Sequence, residues 1–209
     1  MKNKQNQKIY KLWSHFYDLF MQNRFFIQAR KRAFSLVSFT ENQQVLLVGV
    51  GTGQDIPLLP TNTLITGIDL SEHMLIKAKR KYPYPHVIYK QMNAEQLAFP
   101  DDSFDVVILN LILSVVEHPH IALSEALRVT KEGGNIVILD KFLPEKKQLS
   151  PSRKFMNLLT KRLGTNINRK LSDILGTLPL TIQYEEPSIF HGNYRIVLLK
   201  NEKRTLYLY

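Results

Sequence analysis

The chain has 209 residues, 44% of them hydrophobic and 22% charged, ordinary proportions for a soluble globular domain with a core of its own. Its 28 Lys and Arg against 18 Asp and Glu give a formal net charge of +10, and the lack of cysteine excludes a disulfide framework, a thiolate nucleophile and a thiolate metal site. The six histidines show no H-E-x-x-H or related spacing, so no metal site is expected.

The first eight residues are polar and lack the apolar stretch of a secretory signal. Ile9, Leu12, Trp13, Phe16, Tyr17 and Phe20 then recur at helical spacing among lysines, an aromatic stripe that suits either an anionic lipid surface, closure over a cleft, or the protein's own core. A buried-strand pattern near 45–50 breaks into Gly49, Gly51 and Gly53, with a helix expected near 54–59. Backbone without Cβ at a strand exit, followed by free N–H groups, suits a nucleotide-like ligand. A second strand near 64–69 ends in Asp69, where a carboxylate can take both hydroxyls of a ribose. Ser71 is an N-cap for a helix over 71–81 whose inward face carries Met74, Leu75 and Ala78. Strands near 86–91 and 104–110 follow, the first leading to Asn93, Ala94 and Glu95 and the second ending in Asn110. That amide suits either the cleft or the start of a loop. A helix near 119–130, Gly133-Gly134 and a strand near 135–141 come next. A helical region over about 151–175 and a closing pair near 180–184 and 194–199 complete the pattern. Strands alternating with helices predict a parallel sheet covered on both faces. The longest apolar run, Val106 to Val116, is short for a membrane span and is interrupted by Asn110 and Ser114.

The spacing of the glycines narrows the ligand. A dinucleotide loop needs a third glycine where Gln54 stands, and no G-K-[ST] follows for a P-loop. The run Gly49-Val50-Gly51-Thr52-Gly53 with Asp69 resembles the cofactor loop of the class I S-adenosylmethionine-dependent methyltransferases. Asn93-Ala94-Glu95, the segment Phe99 to Asp105 leading into Val106-Val107-Ile108-Leu109, and Ala126 to Gly134 leading into Asn135 to Leu139 resemble later motifs of that family in the same order.

The resemblance implies an α/β fold, Rossmann-like and doubly wound, with a mostly parallel seven-stranded sheet and helices on both faces. It implies one methyltransferase domain over 1–209: an N-terminal helical lid or membrane-facing segment at 1–40, a cofactor-binding core at 41–142, a basic helical insertion at 143–178 and closing strands at 179–201. The implied cofactor is S-adenosyl-L-methionine, held by Gly49, Val50, Gly51, Gly53 and Gln54 of the loop. Asp69, Leu70 and Met74 after the second strand, Asn93, Ala94 and Glu95 after the third, and Asn110 after the fourth are its further expected contacts.

The positive charge is local. Residues 1–32 hold eight Lys or Arg against Asp18 alone, and residues 141–170 hold nine against Glu145 alone. Both segments are expected to border the ligand cleft beyond the carboxyl ends of the strands, which would make the entrance cationic. The stretch from Tyr10 to Asp18, with Arg30 and Arg32, resembles the N-terminal helix of bacterial phosphatidylethanolamine N-methyltransferases and of ubiquinone/menaquinone-type methyltransferases. That resemblance implies a membrane-resident lipid acceptor, best a phospholipid amine; a quinone precursor, a soluble small molecule, or binding of the cofactor without transfer remain alternatives. Tyr17 and His15 are the candidates for orienting the acceptor or taking a proton. A cytoplasmic protein, peripheral on the inner face of the membrane, is the matching location. No nucleic-acid-binding pattern is present, and nothing in the sequence sets the oligomeric state.

Overall fold

The structure, a computed structural model, describes residues 23–143 and 168–202. In chain order it contains α1 (Arg24–Phe34), β1 (Gln44–Val48), a 3-10 turn (Ile56–Leu58), β2 (Leu64–Asp69), α2 (Glu72–Lys81), β3 (Val87–Gln91), β4 (Phe104–Asn110), α3 (Pro119–Val129), β5 (Thr130–Lys141), α4 (Leu171–Leu175), β6 (Leu180–Pro187), α5 (Ile189–Gly192) and β7 (Tyr194–Asn201). The seven strands form one sheet in the order β3-β2-β1-β4-β5-β7-β6. The first five run parallel, and β7 pairs antiparallel with both β5 and β6. Strand order reverses between β1 and β4, and in such sheets the crevice at the reversal is where ligands bind.

Period-two alternation splits the apolar residues of each central strand between two cores. Leu46, Val48, Val107, Leu109, Ile136 and Ile138 face one side with α3 and α4. Val45, Leu47, Val106, Ile108, Val137 and Leu139 face the other, covered by Phe26, Ala29, Ala33 and Phe34 of α1 and by Leu75 of α2. The helices start where local chemistry satisfies their first N–H groups. Asn23 accepts from Phe25 N–H, Ser71 accepts from Met74 N–H, and α3 opens on Pro119, which has no N–H to satisfy.

Three boundaries differ from the sequence pattern. The helix expected at 54–59 is only the turn Ile56–Leu58, because Leu59 precedes Pro60 and is forced into extended backbone at φ −92°, ψ 151°. β1 stops at Val48, since Gly49 turns to φ +72°. β5 begins at Thr130 rather than near 135: Thr130 pairs with Phe104, the register slips over the two glycines, and pairing resumes at Asn135 with Val106. The closing pair expected near 180–184 and 194–199 is antiparallel and extends over 180–187 and 194–201. Among the described residues no helix is long and apolar enough to cross a membrane.

Candidate functional site

The loop after β1 is stitched to the end of β2. Val50 N–H donates to Ile68 O at 2.8 Å, and Gly51 N–H donates to Asp69 Oδ2 at 2.9 Å. Ser71 N–H donates to Asp69 Oδ1 at 2.8 Å, so the carboxylate is gripped by backbone from both sides. Each oxygen keeps a lone pair after this, enough to accept from a ligand hydroxyl. Burial pushes the Asp69 carboxyl above the usual aspartate range, while these two N–H donors pull the other way.

The glycines differ in what surrounds them. A Cβ on Gly49 would stand 2.7 Å from Ile112 Cδ1, and one on Gly53 would stand 2.8 Å from Tyr82 Cδ2, so protein side chains fill the space over both. A Cβ on Gly51 would meet nothing nearer than 4.0 Å; its backbone, at φ +54°, is the stretch that remains bare. Val50 is buried with its side chain against Gly67, so it can meet a ligand only through its backbone. Gln54 bonds Thr52 Oγ1 at 3.3 Å, and Met74 is buried.

At the end of β3, Met92 N–H donates to Asp69 O, which sets the following turn beside β2. Gln91 Nε2 donates to Leu70 O at 3.1 Å across the same strand ends. In that turn Asn93 Oδ1 accepts from Glu95 N–H, and Ala94 is buried. Glu95 is committed elsewhere: its Oε1 accepts from Glu117 N–H at 2.8 Å and His118 N–H at 3.1 Å, tying this turn to the start of α3.

At the end of β4 the chain turns sharply through Leu111, a non-glycine residue at φ +59° whose N–H donates to Leu139 O. That strained residue folds Ile112 back over Gly49. Just before it, Asn110 Nδ2 donates to Asp55 Oδ1 at 3.0 Å, and Asn110 Oδ1, buried, has no partner among the described residues. Asp55 also holds Arg30 Nε at 2.9 Å in an ion pair that is almost wholly buried. Sequence reasoning missed Asp55 and counted Arg30 among the cations expected to border the cleft entrance. The available signal was a single acid two residues past the last glycine of the loop, on the turn that carries it.

Other cations of the two basic segments are likewise spoken for. Arg32 pairs with Glu186 at 2.9 Å, and Arg169 donates to the carbonyls of Leu113 and Val116. The cationic entrance therefore rests on fewer free charges than the count suggests. Tyr17, His15 and the aromatic stripe lie outside the described residues, as do residues 144–167 of the basic insertion. Among the described residues no three metal-ligating side chains come together.

Residues 46–138 match a family model described as a methyltransferase domain. The chain is similar to a phosphatidylethanolamine N-methyltransferase of Cereibacter sphaeroides, 38% identical over 125 residues that cover 58% of this chain and 62% of that protein. It is also similar to a demethylmenaquinone methyltransferase of Tropheryma whipplei, 30% identical over 162 residues covering 77% and 64% respectively. The matches thus span less than two thirds of the length of these relatives. Among solved structures, the geranyl diphosphate C-methyltransferase of Streptomyces coelicolor, in complex with Mg2+, geranyl-S-thiolodiphosphate and S-adenosyl-L-homocysteine, shares the fold with a TM-score of 0.72 at 14% identity, over 83% of this chain and 75% of that one.

Proposed function

We propose, from the match of residues 46–138 to a methyltransferase domain, that this chain moves the methyl group of S-adenosylmethionine to a membrane-associated lipid acceptor, best a phospholipid amine. The observation that carries the cofactor reading is the contact of Gly51 N–H with Asp69 at the strand-order reversal, which pairs bare backbone with a carboxylate spaced for a ribose. The buried, unpartnered Asn110 Oδ1 one strand away is an acceptor fitted to a donor on the amino-acid end of the same ligand. The acceptor reading is supported by the 38% identical relative named for phosphatidylethanolamine and by the local positive charge. The demethylmenaquinone relative supports a quinone precursor as the second reading.

When bound, the sulfonium supplies an already electrophilic methyl group, so the protein's task is alignment and exclusion of water. Asp69 would hold the sugar, the Gly51 backbone would lie along the cofactor, and Asn110 with Asp55 would hold the end nearest β4. Leu111 and Ile112 close the loop from above. Tyr17 and His15 are proposed to orient the acceptor or to take its proton. Incubating the purified chain with labelled methyl donor and total lipid extract is expected to put label into a phospholipid amine. Label in quinone precursors alone would transfer the assignment to the second reading, and label only in soluble acceptors would overturn both.

A further inference from the structure

Lys141, the last residue of β5, is placed unlike any other described cation of the basic segments. Asp140 before it turns toward α3, where its Oδ2 accepts from Ser114 N–H at 2.9 Å and its Oδ1 from Lys141 N–H at 2.7 Å. By strand alternation Lys141 points to the opposite face, the one covered by α1. There its Nζ stands 5.4 Å from the centre of the Tyr194 ring, in register with it across the antiparallel pair. Phe26 and Phe190 pack on that ring at 5.3 and 5.8 Å. No acceptor bonds Nζ among the described residues. Arg30, the other buried cation on this face, is neutralised by Asp55, whereas among the described residues no ion pair is formed by Lys141. A ring offsets only part of the cost of desolvating an ammonium. Burial accordingly holds the Lys141 amine below the usual lysine range, with Asp140 opposing.

The order of the strands sets where Lys141 stands relative to the site. A cofactor with its sugar at the end of β2 and its amino-acid end at β4 would run along the strand ends toward β5, which neighbours β4. Lys141 lies about 10 Å from β1, two interstrand spacings away, and so beyond the cofactor on the acceptor's side. We propose that Lys141 is an acceptor-binding residue whose ammonium pairs with an anionic phosphodiester oxygen of the lipid headgroup. The inference rests on the phospholipid reading above and adds the atom by which the headgroup is recognised. The Tyr194 ring, itself packed on Phe26, holds the lysine ammonium in place.

The test uses the full chain with labelled methyl donor in neutral detergent micelles. The micelles carry either phosphatidylethanolamine or a long-chain primary amine without phosphate. Lys141→Met is expected to lower kcat/KM for the phospholipid by about 10- to 100-fold, mostly through KM, and to affect the phosphate-free amine far less. Lys141→Arg should recover most of the loss. Titration with S-adenosyl-L-homocysteine should give the same affinity in Lys141→Met as in the wild type, which reports an intact fold and cofactor site. Equal losses on the two acceptors, no loss on either, or a fall in kcat with a displaced pH profile would each overturn the phosphodiester contact while leaving the phospholipid reading standing. A wild-type chain that methylates neither amine but does methylate a quinone precursor would remove the phospholipid reading, and this inference with it.

Discussion

Asn110 and Asp55 meet beneath the glycine loop, where Nδ2 of the one donates to Oδ1 of the other at 3.0 Å and leaves Asn110 Oδ1 buried without a partner. A buried acceptor left unpaired costs free energy in the free protein that a ligand donor would recover. Asn110→Ala removes both halves of this arrangement. It is expected to cost about 1–3 kcal/mol in stability through the lost donor to Asp55. Affinity for S-adenosyl-L-homocysteine should also fall about tenfold through loss of Oδ1. Calorimetric titration of the folded variant decides the second point: unchanged affinity would show that Asn110 serves only Asp55.

Gly51 and Gly134 separate ligand contact from folding. At Gly51 an added Cβ meets open space, so Gly51→Ala should cost the fold only about 1–2 kcal/mol for its left-handed backbone. The methyl group would nonetheless lie where the cofactor passes, and affinity should drop at least about tenfold. At Gly134 a Cβ would stand 2.8 Å from Lys131 O and 2.9 Å from Asp105 O, backbone atoms that cannot swing aside. Gly134→Ala is therefore expected to cost roughly 1–3 kcal/mol with little change in the affinity of the folded fraction. Thermal melts paired with cofactor titrations would expose the contrast, and a melt lowered more by Gly51→Ala than by Gly134→Ala would contradict it.

What the sequence made legible was what repeats locally. Alternating apolar runs and the Ser71 cap placed β2, α2 and β4 to within a residue, and the acid closing β2 placed Asp69 beside the loop. Contacts between distant segments were not legible. No pattern ties Arg30 on α1 to Asp55, or the Glu95 carboxylate to the Glu117 and His118 N–H groups it accepts from. Spacing likewise could not show that side chains of Ile112 and Tyr82 occupy the space a Cβ would need at Gly49 and Gly53.

Asp69 should make cofactor binding sensitive to acid. Its carboxyl sits above the ordinary aspartate range in the free protein, and ribose hydroxyls favour the charged form. Binding therefore draws a proton off wherever Asp69 is still protonated. Affinity should rise with pH through the free protein's Asp69 pKa and level off above it. In the falling direction, the loss begins at a higher pH than an exposed aspartate would set. Asp69→Asn should bind about 10- to 100-fold more weakly with that pH dependence gone. Titrations across the acid range test this, and a variant that retains the wild-type slope would assign the proton to another group.

The Arg30–Asp55 pair offers a direct measure of what anchors α1 over the site. Both side chains are nearly excluded from water, so removing one leaves the other charge without its counter-ion. Asp55→Ala is expected to cost about 3–5 kcal/mol. Replacing both, as Arg30→Met with Asp55→Leu, should cost much less than the two single changes together, because no buried charge is then left alone. Denaturant unfolding of the two singles and the double gives the coupling. Strictly additive losses would mean that Asp55 is held by Asn110 and that Arg30 contributes packing against Phe26, over whose ring its guanidinium lies at 5.8 Å. A large coupling together with weakened cofactor binding in the double variant would instead tie the docking of α1 to the shape of the glycine loop, since Asp55 sits on the turn that carries it.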